Sequence, residues 1–382
     1  MEQQTFCKLK SFSQILVNQE EATIIVPAKS DATGFWFGSG NVVVVEDQTN
    51  LNGYQLFLCG RYRNFGDSRQ GLKAGERGIS LAIFSSTNKG KEWKLEFEWT
   101  KYQLSEHLKQ EIVSIEGSCL YFNRQKNKWE LYVSTEKKRN YPAGFEDYQK
   151  PGTGIWSIDV IESTDSSILT LAPETIKPVL ISHDPETLHV KDPYVYEDHF
   201  GNTDLIFCIH PFNWSSANSG MAKRNKNENE FSKINWQFVN RGKCWDVAAC
   251  RITSSFQIPE NIKNLFSQSG DRLTLFYYDG AECVRQLEEN EAAVKRPRGY
   301  SCEELGGLFI QINDGELVNQ CNYFPLFLSP HGTACSRYIH SVATPDGIFT
   351  TWQQSQATRS QPLVSTFVTY ERIREYFGVN YK

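Results

Sequence analysis

A chain of 382 residues with 13% aromatic side chains can bury a large core, and Trp, Tyr and Phe favour strands. A formal net charge of -5 and a pI near 5.9 argue against broad nucleic-acid or anionic-membrane binding, which needs a concentrated positive field. No apolar run is long enough to span a bilayer, and Met1 to Cys7 has no basic segment followed by a hydrophobic stretch, so a cytoplasmic protein with reduced thiols is expected.

Residues 21–27 read as a strand with no opening strand beside it. Gly38-Ser39-Gly40-Asn41 then leads into a Val-rich strand, a turn at Leu51-Asn52-Gly53, an aromatic-rich strand over 54–59 and further strands over 78–84 and 93–99. The same order recurs. Ile115-Glu116-Gly117 opens a second unit with strands at 118–121, 129–134 and 154–160. Lys191-Asp192-Pro193 opens a third with 194–196, 204–208, 220–222 and 234–239. Trp245-Asp246 opens a fourth with 247–249, 272–278 and 307–312, and Tyr338-Ile339-His340 a fifth with 341–343, 347–352 and 364–368. Short helices are expected over 102–109, 259–266 and 370–377.

Openings follow one another at 75, 76, 54 and 94 positions, lengths suited to four-stranded sheets. Repeated sheets about an axis place every first strand beside a central channel. The expectation is one all-β domain over residues 1–382, a five-bladed β-propeller with four-stranded antiparallel blades. Its N-terminal strand at 21–27 closes the last blade next to 364–368, because an open edge invites aggregation.

In such a ring the polar heads of the inner strands meet. Glu116, Asp192 and Asp246 are then the expected catalytic carboxylates, since like charges in one cavity split into an acid and a base. The plainer reading is that the two aspartates cap strand ends. Asn41 and His340 are expected to line the channel, where His340 binds an ion, carries a proton or hydrogen-bonds. Arg61 and Arg63, which follow the second strand of blade one, are placed to clamp a carboxylate or sugar hydroxyls at the cavity rim, or to pair at the surface with Asp67 or Glu76. Arg251 is read as structural. Trp36, Trp214, Tyr278 and Trp352 stand beside openings or second strands and offer stacking faces for a sugar. Ten cysteines and seven histidines show no metal-ligand spacing, so no cofactor is expected beyond a structural ion in the channel. Loops over 64–77, 139–153 and 212–231 are expected at one mouth, and the basic stretch 294–298 as a solvated loop.

Lys191-Asp192-Pro193-Tyr194-Val195-Tyr196-Glu197-Asp198, followed by Gly201, resembles the Asp-Pro blade opening of the five-bladed propeller glycosidases, glycoside hydrolase family 43 and its relatives. The hairpin from Ser80 to Trp93 is similar to that family's strand-turn-Trp unit, and Ser86 to Trp93 resembles a sialidase Asp-box with Asn in place of Asp. The resemblance implies a base from blade one, an orienting Asp from blade three, an acid from blade four and a blade-five His near a central ion or water cluster. Asp192 matches the orienting Asp, Asp246 falls in the acid's place and His340 matches the His. Asn41 stands where the base belongs, which leaves Glu116 to replace it. The implied protein is a glycoside hydrolase-like enzyme on a glycoside or sugar-derived small molecule, with neither nucleic acid nor membrane as partner. A non-hydrolytic propeller enzyme and an inactive carbohydrate-binding propeller are the alternatives.

Overall fold

The computed structural model describes residues 2–63, 77–267, 270–282 and 304–378. Asp67, Glu76 and the basic stretch 294–298 lie outside them, as does most of the loop 64–77. The chain opens with helix α1 (Glu2–Leu16), followed by strand β1 (Thr23–Val26). Blade one comprises β2 (Trp36–Gly38), β3 (Val42–Glu46), β4 (Tyr54–Arg63), β5 (Ser80–Ser86) and β6 (Lys94–Thr100), in which β2 and β3 both pair with β4 as one interrupted inner strand. Helix α2 (Lys101–Leu108) leads into blade two, built from β7 (Ile112–Asn123), β8 (Lys128–Lys137), β9 (Ile155–Ser163) and β10 (Leu171–Leu180).

Blade three is β11 (His189–Glu197), β12 (Thr203–His210), β13 (Asn218–Arg224) and β14 (Ser232–Val239). Blade four starts with β15 (Ala249–Gln257), then the one-turn helix α3 (Glu260–Lys263), β16 (Leu273–Ala281), β17 (Leu305–Ile312) and the short outer β18 (Val318–Asn319). Blade five is β19 (Ser336–Ala343), β20 (Gly347–Gln354) and β21 (Leu363–Thr369), before helix α4 (Tyr370–Tyr376). Its fourth strand is β1, which pairs antiparallel with β21 through Thr23 opposite Ser365. The five-bladed, four-stranded antiparallel architecture and its closure by the N-terminal strand are therefore as expected.

Helix α1 was not expected from the sequence. Leu9, Phe12 and Leu16, spaced by three and four, form one apolar stripe and are fully buried in the main core beside Phe266, Trp352 and Ile373. Helix α2 starts where expected, fixed by a reciprocal capping box between Thr100 and Gln103. The Ser86-to-Trp93 turn holds itself together. Asn88 Oδ1 accepts from the Glu92 N–H at 2.9 Å, and Trp93 Nε1 donates to the Gly90 carbonyl at 3.0 Å, at the outer β5–β6 hairpin. Among the described residues no helix is long and apolar enough to cross a membrane.

Each of the five inner strands carries one extra residue where it passes the axis. Between Gly38 and Val42 of blade one, three residues oppose two; Glu116 and Gly117 oppose only Ser134; Asp192 and Pro193 oppose only Phe207. Thr253 is the extra residue of blade four, and Tyr338 and Ile339 oppose only Trp352 in blade five. A bulge bends its strand and re-aims the side chain beside it. Ser39, Asp192 and Tyr338 adopt left-handed backbone (φ 62°, 54° and 52°), which Asp tolerates but which strains a bulky Tyr.

Candidate functional site

The bulges meet around a small axial cavity lined by residues from all five blades, among them Asn41, Gly117, Asp192, Thr253 and Tyr338. Above it, at the mouth where inner strands begin and second strands end, buried charges are concentrated. Asp192 is the hub. Its Oδ1 accepts from the Gly117 N–H at 3.2 Å and from the Tyr338 hydroxyl at 3.4 Å, while Oδ2 lies 3.1 Å from Arg251 Nη1 and 3.6 Å from Lys191 Nζ. The close approach needs glycine at position 117, because a Cβ there would stand 2.6 Å from Asp192 Oδ1 and 2.9 Å from its Cα.

Arg251 joins blade three to blade four. Besides Asp192 it contacts Glu304 and lies 3.5 Å from Asp279 Oδ2, and Arg337 Nη1 holds Glu304 from the other side at 2.6 Å. On the opposite wall Arg61 Nη2 pairs with Glu116 at 2.5 Å, and Arg77 pairs with Glu136 at 2.6 Å. Gly117, the chain neighbour of Glu116, thus donates to Asp192, and ion pairs continue from Asp192 through Arg251 to Glu304 and Asp279.

These neighbours separate the carboxyls chemically. Burial opposes ionisation of Glu116, but Arg61, then Lys191, Arg63 and Arg77 outweigh it and hold the carboxyl at about 2. Desolvation opposes ionisation of Glu304 too, but Arg251, Arg337 and Lys191 hold it well below the usual range. Asp279 goes the other way: burial, opposed by Arg251 and reinforced by the Glu304 charge, raises it to about 8. At neutral pH the Asp279–Glu304 pair therefore carries one proton, and Glu116 carries none.

The expected residues divide into those that share this mouth and those that do not. Glu116, Asp192, Asn41 and Arg61 are brought together. Asn41 is committed on both ends of its amide, with Nδ2 donating to the Leu120 carbonyl at 2.9 Å and Oδ1 accepting from the Leu120 N–H at 2.7 Å, so it ties blade one to blade two. His340, two residues past Tyr338 of the bulge, is buried, accepts from the Val42 N–H at 3.4 Å and is held neutral by burial, at about 4. Among the described residues no three His, Cys, Asp or Glu side chains stand close enough to hold a metal ion.

Asp246 requires a correction of place. It precedes β15, and the axial position of blade four belongs to Thr253, seven residues on. Its carboxylate accepts from the Tyr278 hydroxyl at 3.0 Å beside Asn319 of the outer strand β18. Tyr278 and Asp279 are successive strand residues on opposite faces, and Asp279 is the one facing the mouth. Burial raises the Asp246 carboxyl, with no other acid or base of the cluster against it. Tyr278 is likewise fully buried away from the axis, and Trp352 is core, its Nε1 donating to Gln19 at 3.0 Å. Asp246→Asn is accordingly expected to leave kcat unchanged and to alter only thermal stability; a folded variant without activity would return Asp246 to the catalytic set.

Arg251, read from sequence as structural, lies at the centre of the cluster, and Asp279, Glu304, Arg337, Arg77 and Lys191 were not singled out. A signal existed for most of them. Lys191, Arg251 and Arg337 each stand one or two residues before the bulge of their inner strand, and Arg61, Arg63 and Asp279 occupy the ends of second strands. On the blade-three rim, Trp214 packs on His210 and His189 with ring centroids 4.3 and 4.4 Å apart, and Lys191 Nζ lies 5.7 Å from its ring.

No family model matches this sequence, and no curated protein does. Solved structures do resemble it. An endo-1,4-β-xylanase from Bacteroides thetaiotaomicron superposes with a TM-score of 0.51 at 13% identity, covering 90% of this chain and 92% of the xylanase. A thermostable family-43 glycoside hydrolase gives 0.51 at 11% identity over 90% and 92%. CoXyl43, a family 43 β-xylosidase/α-arabinofuranosidase from a compost microbial metagenome solved with xylotriose, gives 0.51 at 10% over 90% and 94%. The fold is that of the five-bladed propeller glycosidases. At these identities the likeness establishes architecture, and chemistry must be argued from the side chains.

Proposed function

We propose that this chain is a glycosidase-like propeller enzyme that acts on a carbohydrate at the axial mouth through carboxylate acid–base chemistry. What supports the reading is that Glu116, held ionised by Arg61, adjoins Gly117, whose N–H binds Asp192, and that Arg251 joins Asp192 to Glu304 and to Asp279, whose carboxyl is raised to about 8. Glycoside cleavage needs one carboxyl to protonate the leaving oxygen and another to activate water or attack the sugar. Glu116 takes the base or nucleophile role, since Asn41 holds no proton-accepting group free. The Asp279–Glu304 pair supplies the proton, with Glu304 the more exposed member at 25% of its side chain. Asp192, saturated by four partners, orients the bulge beside Glu116 and anchors Arg251.

The test is turnover of a panel of aryl glycosides with the product mass recorded. Release of the aryl group with a sugar product that has gained water is expected. A product of unchanged elemental composition would replace hydrolysis by elimination or cyclisation. Saturable binding with no turnover after prolonged incubation would leave a carbohydrate-binding propeller.

A further inference from the structure

Among the described residues, the charges around Trp36 do not balance. Arg337 and Arg63 place their Cζ atoms 4.4 and 4.5 Å from the indole centroid, and Arg61 places its own at 5.6 Å. The indole is therefore covered by guanidinium groups and is no open platform for a sugar, contrary to the stacking role expected of Trp36. Against these three cations stand two carboxylates, Glu116 on Arg61 and Glu304 on Arg337. Arg63 has no carboxylate partner among the described residues.

All three arginines are more than nine-tenths buried, at 1%, 7% and 7% exposure for Arg61, Arg63 and Arg337. Nε of Arg63, and Nε and Nη1 of Arg61, are buried donors without an acceptor among the described residues. Burial, together with the neighbouring Arg61, Arg77 and Arg337 charges, pulls Arg63 down to about 10 against the attraction of Glu116, which still leaves it a cation at neutral pH. A guanidinium taken out of water without a counter-charge is unfavourable, and so are unfilled buried donors. Planar N–H forks of this kind match carboxylate and phosphate oxygens two at a time.

We propose that Arg63, supported by Arg61 and Arg337 around Trp36, binds an anionic group of the substrate, so that the sugar recognised carries a carboxylate or a phosphate. The proposal rests on the reading of the axial mouth as the substrate site, and deepens it by naming the substrate class. Trp36 acts as the spacer that keeps three like charges oriented before the ligand arrives.

Calorimetric titration of the full-length protein with D-glucuronate, D-galacturonate and glucose 6-phosphate, each against its neutral parent sugar, tests it. At least one acid is expected to bind tenfold or more tightly than its parent, with the advantage shrinking as salt is raised. Uronate preference identifies a carboxylate as the ligand group, and glucose 6-phosphate preference a phosphate. In Arg63→Met the ratio of acid to neutral affinity is expected to fall towards one. Equal affinity for acids and parents, no binding of any acid, or an undiminished ratio in folded Arg63→Met overturns the proposal. If that variant does not fold, the wild-type ratio and its salt dependence decide. Binding needs no turnover, so a protein that captures uronate and cleaves nothing defeats the hydrolytic reading alone. One that hydrolyses neutral glycosides without preference for acids defeats only this inference.

Discussion

Glu116→Gln is expected to lower kcat about 10³-fold, the middle of the range for losing a positioned acid–base group. The amide keeps an oxygen for Arg61 to donate to, so the Glu116–Arg61 contact persists in form while the group loses its capacity to accept a proton or attack. Circular dichroism and a thermal melt separate this from misfolding, and a folded variant with wild-type kcat would remove Glu116 from the mechanism. The pH profile of the wild type follows from the same assignments. Glu116 is ionised above about 2, and the Asp279–Glu304 pair retains its proton up to about 8. The kcat/KM of the free enzyme should therefore be level from mildly acidic to neutral pH and fall above about 8, and a profile without that alkaline limb would exclude the pair as proton donor.

Arg251→Met is expected to be the most destabilising single change at the mouth. It leaves Asp192, Asp279 and Glu304 without their common cation, and breaking a buried pair in this way costs roughly 3–5 kcal/mol. The loss should depend on pH in a definite sense. Asp279 has a folded pKa raised above its unfolded value, so its contribution is fully present below the ordinary aspartate range and is lost as pH rises through about 8. Without Arg251 that tendency extends to its neighbours. Urea denaturation of the variant and wild type should therefore show a larger deficit at pH 8.5 than at pH 5. An equal deficit at both would mean that Arg251 matters for packing alone. Arg251→Lys should fall between, because one ammonium cannot reach three carboxylates held on two blades.

Much of the fold was legible because its signals are local. Alternating apolar residues, the Asn-Gly and Asp-Gly turns and the glycine-led third strands each act within a few positions, and they recur often enough to count five units. The orphan strand beginning near Thr23 was placed against the segment around Ser365 on the need to close the ring, and it pairs there. Helix α1 escaped because its stripe of Leu9, Phe12 and Leu16 is short and set among polar residues.

The site was legible in part, for a related reason. Glu116 and Asp192 were found because each stands in the bulge itself, next to Gly117 or Pro193. Blade four has Thr253 there, a residue without charge, and the nearest carboxylate upstream, Asp246, lies before the strand begins. One extra residue in a strand changes which face every following side chain meets. That shift cannot be located in a sequence, where Asp246 reads as the head of the strand and Arg251, five residues on, as structural. Asp279 and Glu304 are further apart in kind: one ends a second strand and the other enters a third, and Arg251 from the inner strand relates them.

The amino-acid sequence by itself determined how many sheets form, the order of strands within them and which end of the chain seals the ring, since hydrophobic period and turn preference are properties of neighbouring residues. Only the tertiary structure decided which charges face one another across the axis, which carboxyl keeps a proton and which arginine has no carboxylate partner among the described residues. Those depend on Coulomb interactions between blades more than 50 residues apart, as Glu116–Arg61 and Arg251–Asp192 are, and no local pattern encodes such distances.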